Sequence, residues 1–327
     1  METMISIQEN KQRSAFHISK FLKVYGTLLG FILLCIGFSA LSPAFASFSN
    51  GLTVLRQIAM LSIMSAGLTA VMITKRIDLS VGYVCSALGI FMGALVVDAG
   101  MPLLPALLLT LAAGAVIGLV NGFAIAYMGI PDFIATLAIG FLVSGLNQAY
   151  THGHPISGFP AEFGVFGQWY LLGIPTSIYI MAGFLVVMFV FLYQTRYGRY
   201  IHAIGGNEEA TMLSGVSTKG NLVLSFVVCG IGVAVTSVVL TSRLGAAHPL
   251  SGDGLLLDAI ATVFLGATAF RNGEPNLAGT FIGALIIGVL SNGLTLLNVP
   301  YYYQSVAKGL IILFAVSITS LQRMRKA

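Results

Sequence analysis

The residues of this chain that could carry out proton, metal or group-transfer chemistry are few and widely spaced. The acids beside its apolar stretches all lie near the ends of those stretches: Asp78, Asp98, Asp132, Asp258 and Glu274. Proton-coupled carriers usually need acids or histidines at membrane depth, so this placement argues against a symporter. It also leaves no nucleophile–base pair or metal cluster with which an enzyme could work inside a membrane.

Metal, disulfide and nucleotide sites are equally poorly supported. His152 and His154 share one loop without a third ligand, which disfavours a metal site. Cys35, Cys85 and Cys229 all fall inside apolar stretches, with neither a disulfide framework nor metal-ligand spacing. The chain also lacks the G-x-x-x-x-G-K-[ST] pattern of a phosphate-binding loop. We therefore expect no enzyme activity and no bound cofactor, so any ATP would be used by a second polypeptide.

One polar stretch, "GRYIHAIGGNEEATMLSGVS" at residues 198–217, lies between two apolar runs. Gly205 and Gly206 would free the backbone to turn. Asn207 is a favourable helix N-cap, and Glu208 and Glu209 then occupy the first turn, where acids complement the helix dipole. The stretch therefore predicts the start of a short helix.

The same helix has a predicted end. Ala210 to Leu213 can continue it, and Gly215 stands where a left-handed C-terminal cap would close it. A helix of about two turns is too short to be stable alone in water. We predict that it is braced by a membrane domain or by a partner; the alternative is a loop that lies on the lipid headgroups.

The elements that must position these residues are membrane helices. Only 8% of the residues are charged and the mean hydropathy is +0.93, far outside the soluble range. Apolar runs of roughly 18 to 25 residues are long enough to cross a bilayer. The all-α chain has ten candidate runs, of which the eighth is short: 23–45, 53–74, 80–98, 103–127, 132–150, 176–194, 220–242, 255–270, 277–297 and 303–321.

The distribution of basic residues sets the orientation. If the N-terminus is inside, thirteen of the sixteen Lys and Arg residues fall on the inner side. This positive-inside bias predicts a cytoplasmic arm at 1–22, a transmembrane domain at 23–321 and a cytoplasmic tail at 322–327. Residues 195–219 become an inner loop, and residues 150–175 become an outer loop that packs as an irregular cap. No basic surface is left for nucleic acid.

Four ordered segments resemble one protein family: the permease subunits of bacterial ABC sugar importers of the ribose, xylose and galactoside branch. They are "RIDLSVG" (76–82), "GLVNGFAIAYMGIPDFIATLAIGFLVSGL" (118–146), the 198–217 stretch, and "LDAIATVFLGATAF" (257–270) followed by "GTFIGALIIGVLSNGL" (279–294). The resemblance covers residues of about 50 to 320.

The resemblance implies a type II importer fold, a location in the inner membrane and three protein partners. Those partners would be an ATPase subunit, an external sugar-binding protein and a second permease copy. The inner loop of the family docks on the ATPase, which assigns that role here to Gly198, Arg199, Gly205, Gly206, Asn207, Glu208, Glu209, Ala210 and Gly215. The chain departs from the family pattern at Lys75-Arg76, Leu256, Gly266-Ala267 and 271–274.

The resemblance also suggests an inner-gate motif at Asp78, Ser80 and Gly82. Alternatively, Asp78 simply caps the third span. Asn121 and Asn292 could meet sugar hydroxyls in a pathway, or they could hydrogen-bond between helices as structural contacts. Phe133 and Thr136 match a segment near the expected pathway, with ordinary helix packing as the alternative.

Asp258 and Lys308 map to a similar depth in the outer third of their spans. An isolated charge there is costly, so we expect a charge pair. The alternative is that Asp258 caps its helix while Lys308 extends outward to the interface.

The sequence therefore predicts the permease subunit of an ATP-driven importer that moves a pentose or a hexose by alternating access. A stand-alone secondary carrier for a small polar solute, or a channel, is the alternative.

Overall fold

The computed structural model of the chain describes residues 27–269, 273–300, 302–310 and 313. The predicted arm at 1–22, the tail at 322–327 and the two departures Arg271 and Asn272 lie outside these residues. So does much of the tenth predicted span, of which residues 302–310 form a helix.

The described chain is a bundle of helices whose bounds follow the apolar runs closely. The first six are α1 (Thr27–Leu41), α2 (Phe48–Ile73), α3 (Val81–Gly93), α4 (Leu103–Ala126), α5 (Asp132–Thr151) and α6 (Thr176–Phe189). Five more follow: α7 (Arg196–Gly206), α8 (Glu208–Leu213), α9 (Thr218–Leu244), α10 (Leu255–Thr268) and α11 (Leu277–Leu296). Both α3 and α6 continue as a π-helical turn, at Ala94–Asp98 and Val190–Gln194.

Seven helices in the described part of the chain are long and apolar enough to cross a membrane. They are α2 to α6 and α9, each π-helical turn being counted with its helix, together with α11. The first and eighth predicted spans correspond to the shorter apolar helices α1 and α10. The prediction of a polytopic, all-α membrane protein is thereby confirmed.

The connection between α5 and α6 is ordered rather than loose. Strand β1 (Ile156–Ser157) pairs with β4 (Ala246–Ala247), and β2 (Tyr170–Leu171) pairs with β3 (Ile174–Pro175). A 3-10 turn at Ala161–Phe166 buries Phe163, which is 1% exposed. The cap at residues 150–175 is therefore fixed to the end of α9 by backbone hydrogen bonds and by an aromatic side chain.

The core of the bundle forms around α2 and α9, which pack on each other, and α4 packs closely along α9. The α4–α9 contact depends on glycine. A Cβ atom on Gly118 would overlap the carbonyl oxygen of Phe226, and one on Gly230 would overlap that of Gly114. Small residues let helix backbones approach this closely in membranes.

The helices at the periphery bury much less of their surface. In the apolar 18-residue stretch of α2, 83% of the residues are buried. In the corresponding stretches of α4, α5 and α6 the buried share is 22% each. The remaining faces of α4, α5 and α6 are apolar and open to lipid or to another subunit.

The segment between β4 and α10 turns back into the bundle and shortens α10. Gly252 packs against Gly82 in the first turn of α3, and its N–H donates to the Ser86 hydroxyl at 2.9 Å. The same hydroxyl donates to Asp253 at 2.7 Å. Residues 248–254 thus lie beside α3, and α10 begins only at Leu255 and has 14 residues.

Candidate functional site

The polar stretch at 198–217 forms two short helices that lie end to end. Thr195 caps α7 by accepting the Gly198 N–H at 3.2 Å. Asn207 caps α8 in the same way, accepting the Ala210 N–H at 2.9 Å. Glu208 and Glu209 occupy the first turn of α8, and Gly215 follows it with φ of 81°. The short helix, its cap and its closing glycine thus adopt the predicted geometry.

The turn role predicted for Gly205 and Gly206 is wrong. Gly205 and Gly206 do not turn the chain, because they form the last turn of α7, a helix that the sequence reading missed. Gly205 is required for contact: a Cβ atom there would overlap the carbonyl oxygen of Ile73, at the end of α2. Gly198 is constrained in the same manner against the carbonyl of Leu192.

The outward surface of α8 combines acids with apolar side chains. Residues 207–210 are all exposed, and Arg199 is exposed on α7. Met212 is 56% exposed and Leu213 is 79% exposed, whereas Thr211 is buried on the opposite side. A two-turn helix with one braced face and one mixed acidic and apolar face is suited to contact with another protein.

The brace of α8 comes partly from the two residues that depart from the family pattern. The Lys75 ammonium donates to the Gly206 carbonyl at 3.3 Å. The Arg76 guanidinium pairs with the Glu208 carboxylate at 3.1 Å. Lys75 has φ of 63°, a left-handed conformation that glycine adopts without cost and that lysine adopts only with support from its neighbours.

The predicted inner-gate motif lies directly after these residues. Asp78 is 3% exposed, and its carboxylate accepts both the Ser80 N–H at 2.9 Å and the Ser80 hydroxyl at 2.6 Å. Burial raises the pKa of the Asp78 carboxyl above its ordinary value, and the two hydrogen bonds from Ser80 offset part of that rise. Asp78 therefore orders the turn before α3 but does not cap the helix, because the N-cap residue is Ser80 and no described side chain accepts the N–H groups of its first turn.

Two residues of α5 hold the same segment from the other side. The Asp132 carboxylate accepts the Ile77 N–H at 2.7 Å, and the Thr136 hydroxyl accepts the Leu79 N–H at 3.1 Å. Thr136 is fully buried, whereas Phe133 on the same helix is 53% exposed. The contribution of Asp132 was missed, and no local signal could have found it, because its partner lies 55 residues earlier.

The two asparagines proposed for the pathway both bond to neighbouring helices. Asn121 is buried and donates from Nδ2 to the Ser80 hydroxyl at 2.9 Å, while its Oδ1 has no described partner. Asn292 and Asn50 exchange two amide hydrogen bonds, each of 3.0 Å. These contacts are of the interhelical kind, and Asn50 was not singled out from the sequence.

The structure brings Asp258 and Lys308 together. The Lys308 ammonium lies 2.7 Å from the Asp258 carboxylate, and the two side chains are 25% and 17% exposed. Asp258 is in the first turn of α10 and Lys308 in the helix at 302–310. The pair joins two helices that are distant in sequence.

The opposite end of the bundle carries two arginines. Arg56 donates to the Tyr170 hydroxyl at 3.1 Å and to the Gly167 carbonyl at 2.9 Å. Together with Arg243 it lines a cavity of about 310 Å³ between α2 and the 150–175 cap. Among the residues that the structure describes, no three His, Cys, Asp or Glu side chains could hold a metal ion, and His152 and His154 belong to no such group.

Comparison with known proteins places this arrangement in context. Residues 50–316 match the family model described as branched-chain amino acid transport system / permease component. The ribose import permease protein of Escherichia coli K12 is 40% identical over 296 residues, which are 89% of this chain and 92% of that protein. The ribose import permease protein of Bacillus subtilis is 39% identical, covering 94% of this chain and 96% of its own.

A third relative carries a different sugar in its name. The galactose/methyl galactoside import permease protein of E. coli K12 is 34% identical over 302 residues, which are 87% of this chain and 90% of that protein. No solved structure matches the chain.

Proposed function

The chain belongs to the family of branched-chain amino acid transport system permease components, and we propose that its cargo is a monosaccharide, moved by alternating access. It is the membrane-spanning permease subunit of an ABC importer and is not an enzyme, since ATPase activity in this family lies on a separate subunit. It is a multi-pass protein of the bacterial inner membrane and works with an ATPase and a binding protein.

The cargo proposal is supported by the relatives rather than by a described pocket. The family description names branched-chain amino acids, whereas the relatives at 34% to 40% identity are named for ribose or galactose. We expect uptake of radiolabelled ribose or galactose, and not of leucine, by proteoliposomes that contain the chain with its ATPase and binding protein. Uptake of leucine alone would overturn the sugar assignment.

The coupling proposal depends on one observation, the exposed acidic and apolar face of α8. We propose that α8 docks on the ATPase, within a cytoplasmic loop at 195–219. The docking face would comprise Glu209, Met212 and Leu213, because Thr211 is turned inward and Glu208 is paired with Arg76. Crosslinking from a photoreactive residue at position 213 should capture the ATPase, and capture from position 172 on the opposite cap should not.

The assembly and orientation proposals follow from the same surfaces. We propose two permease copies, with the transport pathway between them and the exposed face of α5 around Phe133 close to it. Both termini and the 195–219 loop would lie in the cytoplasm, and the 150–175 cap outside. Labelling of single cysteines with an impermeant maleimide in intact cells should modify position 172 and spare position 213.

A further inference from the structure

The two basic residues at the end of α2 connect α8 to the buried segment before α3. We propose that Arg76, assisted by Lys75, is a positioning residue that transmits movement of α8 to residues 77–80. The proposal rests on the proposed function, because it takes α8 to be the helix that docks on the ATPase. Residues 73–80 are called the strap below.

One end of the strap is fixed to α8 by one contact and to the last turn of α7 by two. Arg76 pairs with Glu208 at 3.1 Å, and Lys75 reaches the Gly206 carbonyl at 3.3 Å. These two partners flank Asn207, the residue that caps α8. Gly205 also packs directly against the Ile73 backbone. The start of α8 therefore cannot move relative to residues 73–76 without breaking polar contacts on both sides of its cap.

The other end of the strap is fixed to the membrane helices. The Ile77 N–H is held by Asp132 at 2.7 Å and the Leu79 N–H by Thr136 at 3.1 Å, both on the first turns of α5. Ser80 receives a hydrogen bond from Asn121 on α4 at 2.9 Å. Consecutive residues of the strap thus contact α8, α5 and α4 in turn, which gives a continuous set of contacts between them.

The contact with α5 is what makes the strap relevant to transport. Only 22% of the residues in the apolar stretch of α5 are buried, so one face of this helix packs on α3 and α4 while most of its residues lie outside the packed interior. A displacement of residues 77–79 would therefore act on a helix whose other face is not packed against the described part of this chain. In the apolar stretch of α2, 83% of the residues are buried, so the same displacement is not readily absorbed on that side.

The Arg76–Glu208 pair fixes the position of α8 more than it adds to the free energy of folding. Its side chains are 36% and 45% exposed, and exposed ion pairs typically add little to the free energy of folding. A variant without the pair should therefore fold and insert normally. This separates a positioning role from a merely structural one, because transport per ATP and thermal stability should respond differently.

The test uses the full complex with its ATPase and binding protein in proteoliposomes, with labelled ribose as the cargo. The variants are Arg76→Glu, Arg76→Lys and the swap Arg76→Glu with Glu208→Arg; Glu274→Arg reverses an exposed acid outside the strap. We expect Arg76→Glu to copurify with the ATPase and melt at the wild-type temperature. Its ratio of ribose transported to ATP hydrolysed should fall about fivefold or more. A fivefold change corresponds to the lower end of typical coupling free energies. Arg76→Lys and Glu274→Arg should stay near the wild-type ratio, and the swap should transport more ribose per ATP than Arg76→Glu does.

The outcomes separate the two proposals. A wild-type transport ratio in Arg76→Glu overturns the strap, and so does a swap that keeps the ATPase yet transports no better than Arg76→Glu. If the swap loses the ATPase, the comparison of Arg76→Lys with Arg76→Glu decides, and equal ratios overturn the strap. If wild-type α8 makes no crosslink to the ATPase, the docking assignment in the proposed function fails, whatever the Arg76 variants do.

Discussion

At the scale of single residues, three polar side chains hold the backbone of the segment between α2 and α3. Asp78, Asp132 and Thr136 together accept the N–H groups of three residues between 77 and 80. A buried N–H without a partner costs about 1–3 kcal/mol. These side chains thus allow a non-helical segment to run between α2 and α3.

The Asp258–Lys308 pair leads to a prediction about single charges. Asp258→Asn leaves Lys308 without its carboxylate, and Lys308→Met leaves the carboxylate without its cation. An uncompensated charge at the bilayer centre costs roughly 2.5–3.5 kcal/mol and less toward the edge. We expect each single change to lower the yield of folded protein and the ribose uptake more than the double change does.

A double-mutant cycle on uptake and on the thermal midpoint measures this coupling. Strictly additive losses in the cycle would show that the two charges do not interact. Leu257→Met, at an exposed neighbouring position, provides a matched control that keeps the pair intact.

The acids of α8 lead to a second prediction at this scale. Replacing both Glu208 and Glu209 with Lys inverts one charge on the proposed docking face, at Glu209, and places a cation opposite Arg76 at position 208. Insertion should be normal, because both side chains are exposed, while ATP-driven uptake should be lost. The measurements are copurification with the ATPase and uptake by proteoliposomes. Wild-type copurification and uptake would contradict the docking assignment.

At the scale of elements, the glycines between α4 and α9 set how closely those helices pack. Gly118→Ala would place a methyl group against the Phe226 carbonyl. Overpacking of this kind usually costs about 1–3 kcal/mol, more than the helix propensity of alanine returns. We expect a lower thermal midpoint in detergent for this variant. Gly145→Ala, with nothing within 4 Å of its new Cβ, should leave the midpoint unchanged or raise it.

The elements that the sequence predicted well are those whose signal is local. Apolar runs set the bounds of α2 to α6, α9 and α11, and Asn207 with Gly215 set those of α8. Helix α7 was missed because Gly205 and Gly206 were taken as turn residues, although Thr195 stands at its N-cap. The pairing of β1 with β4 was also missed, since strands of two residues have no periodicity to detect.

The candidate site likewise combines features with a local sequence signal and features that depend on long-range contacts. The cap of α8 is specified within four residues of sequence, Asn207 to Ala210, whereas the contacts of Arg76 with Glu208 and of Ile77 with Asp132 span 132 and 55 residues. Such contacts depend on how α2, α5 and α8 meet. Local helix propensity carries no information about how these helices pack together. The strap could therefore be recognised only from the folded chain.

At the scale of the whole molecule, the lack of acids or histidines at the centre of the described spans bears on the energy source. We expect ribose uptake to continue after an uncoupler collapses the proton gradient, as long as ATP is maintained. The measurement is uptake in energised cells or proteoliposomes with the uncoupler added at constant ATP. Uptake that stops under those conditions would favour the secondary-carrier alternative.

The short α10 has a consequence for how the chain enters the membrane during synthesis. Fourteen residues at about 1.5 Å each span about 21 Å, less than the roughly 30 Å of a hydrocarbon core. The start of α10 also contacts residues 248–254, which pack on α3. The translocon should therefore fail to integrate α10 alone and should release it into lipid only as a hairpin with α11, after α3 is in place. Integration assays on truncated nascent chains, ended after residue 270 or after residue 300, would show insertion only in the longer chain.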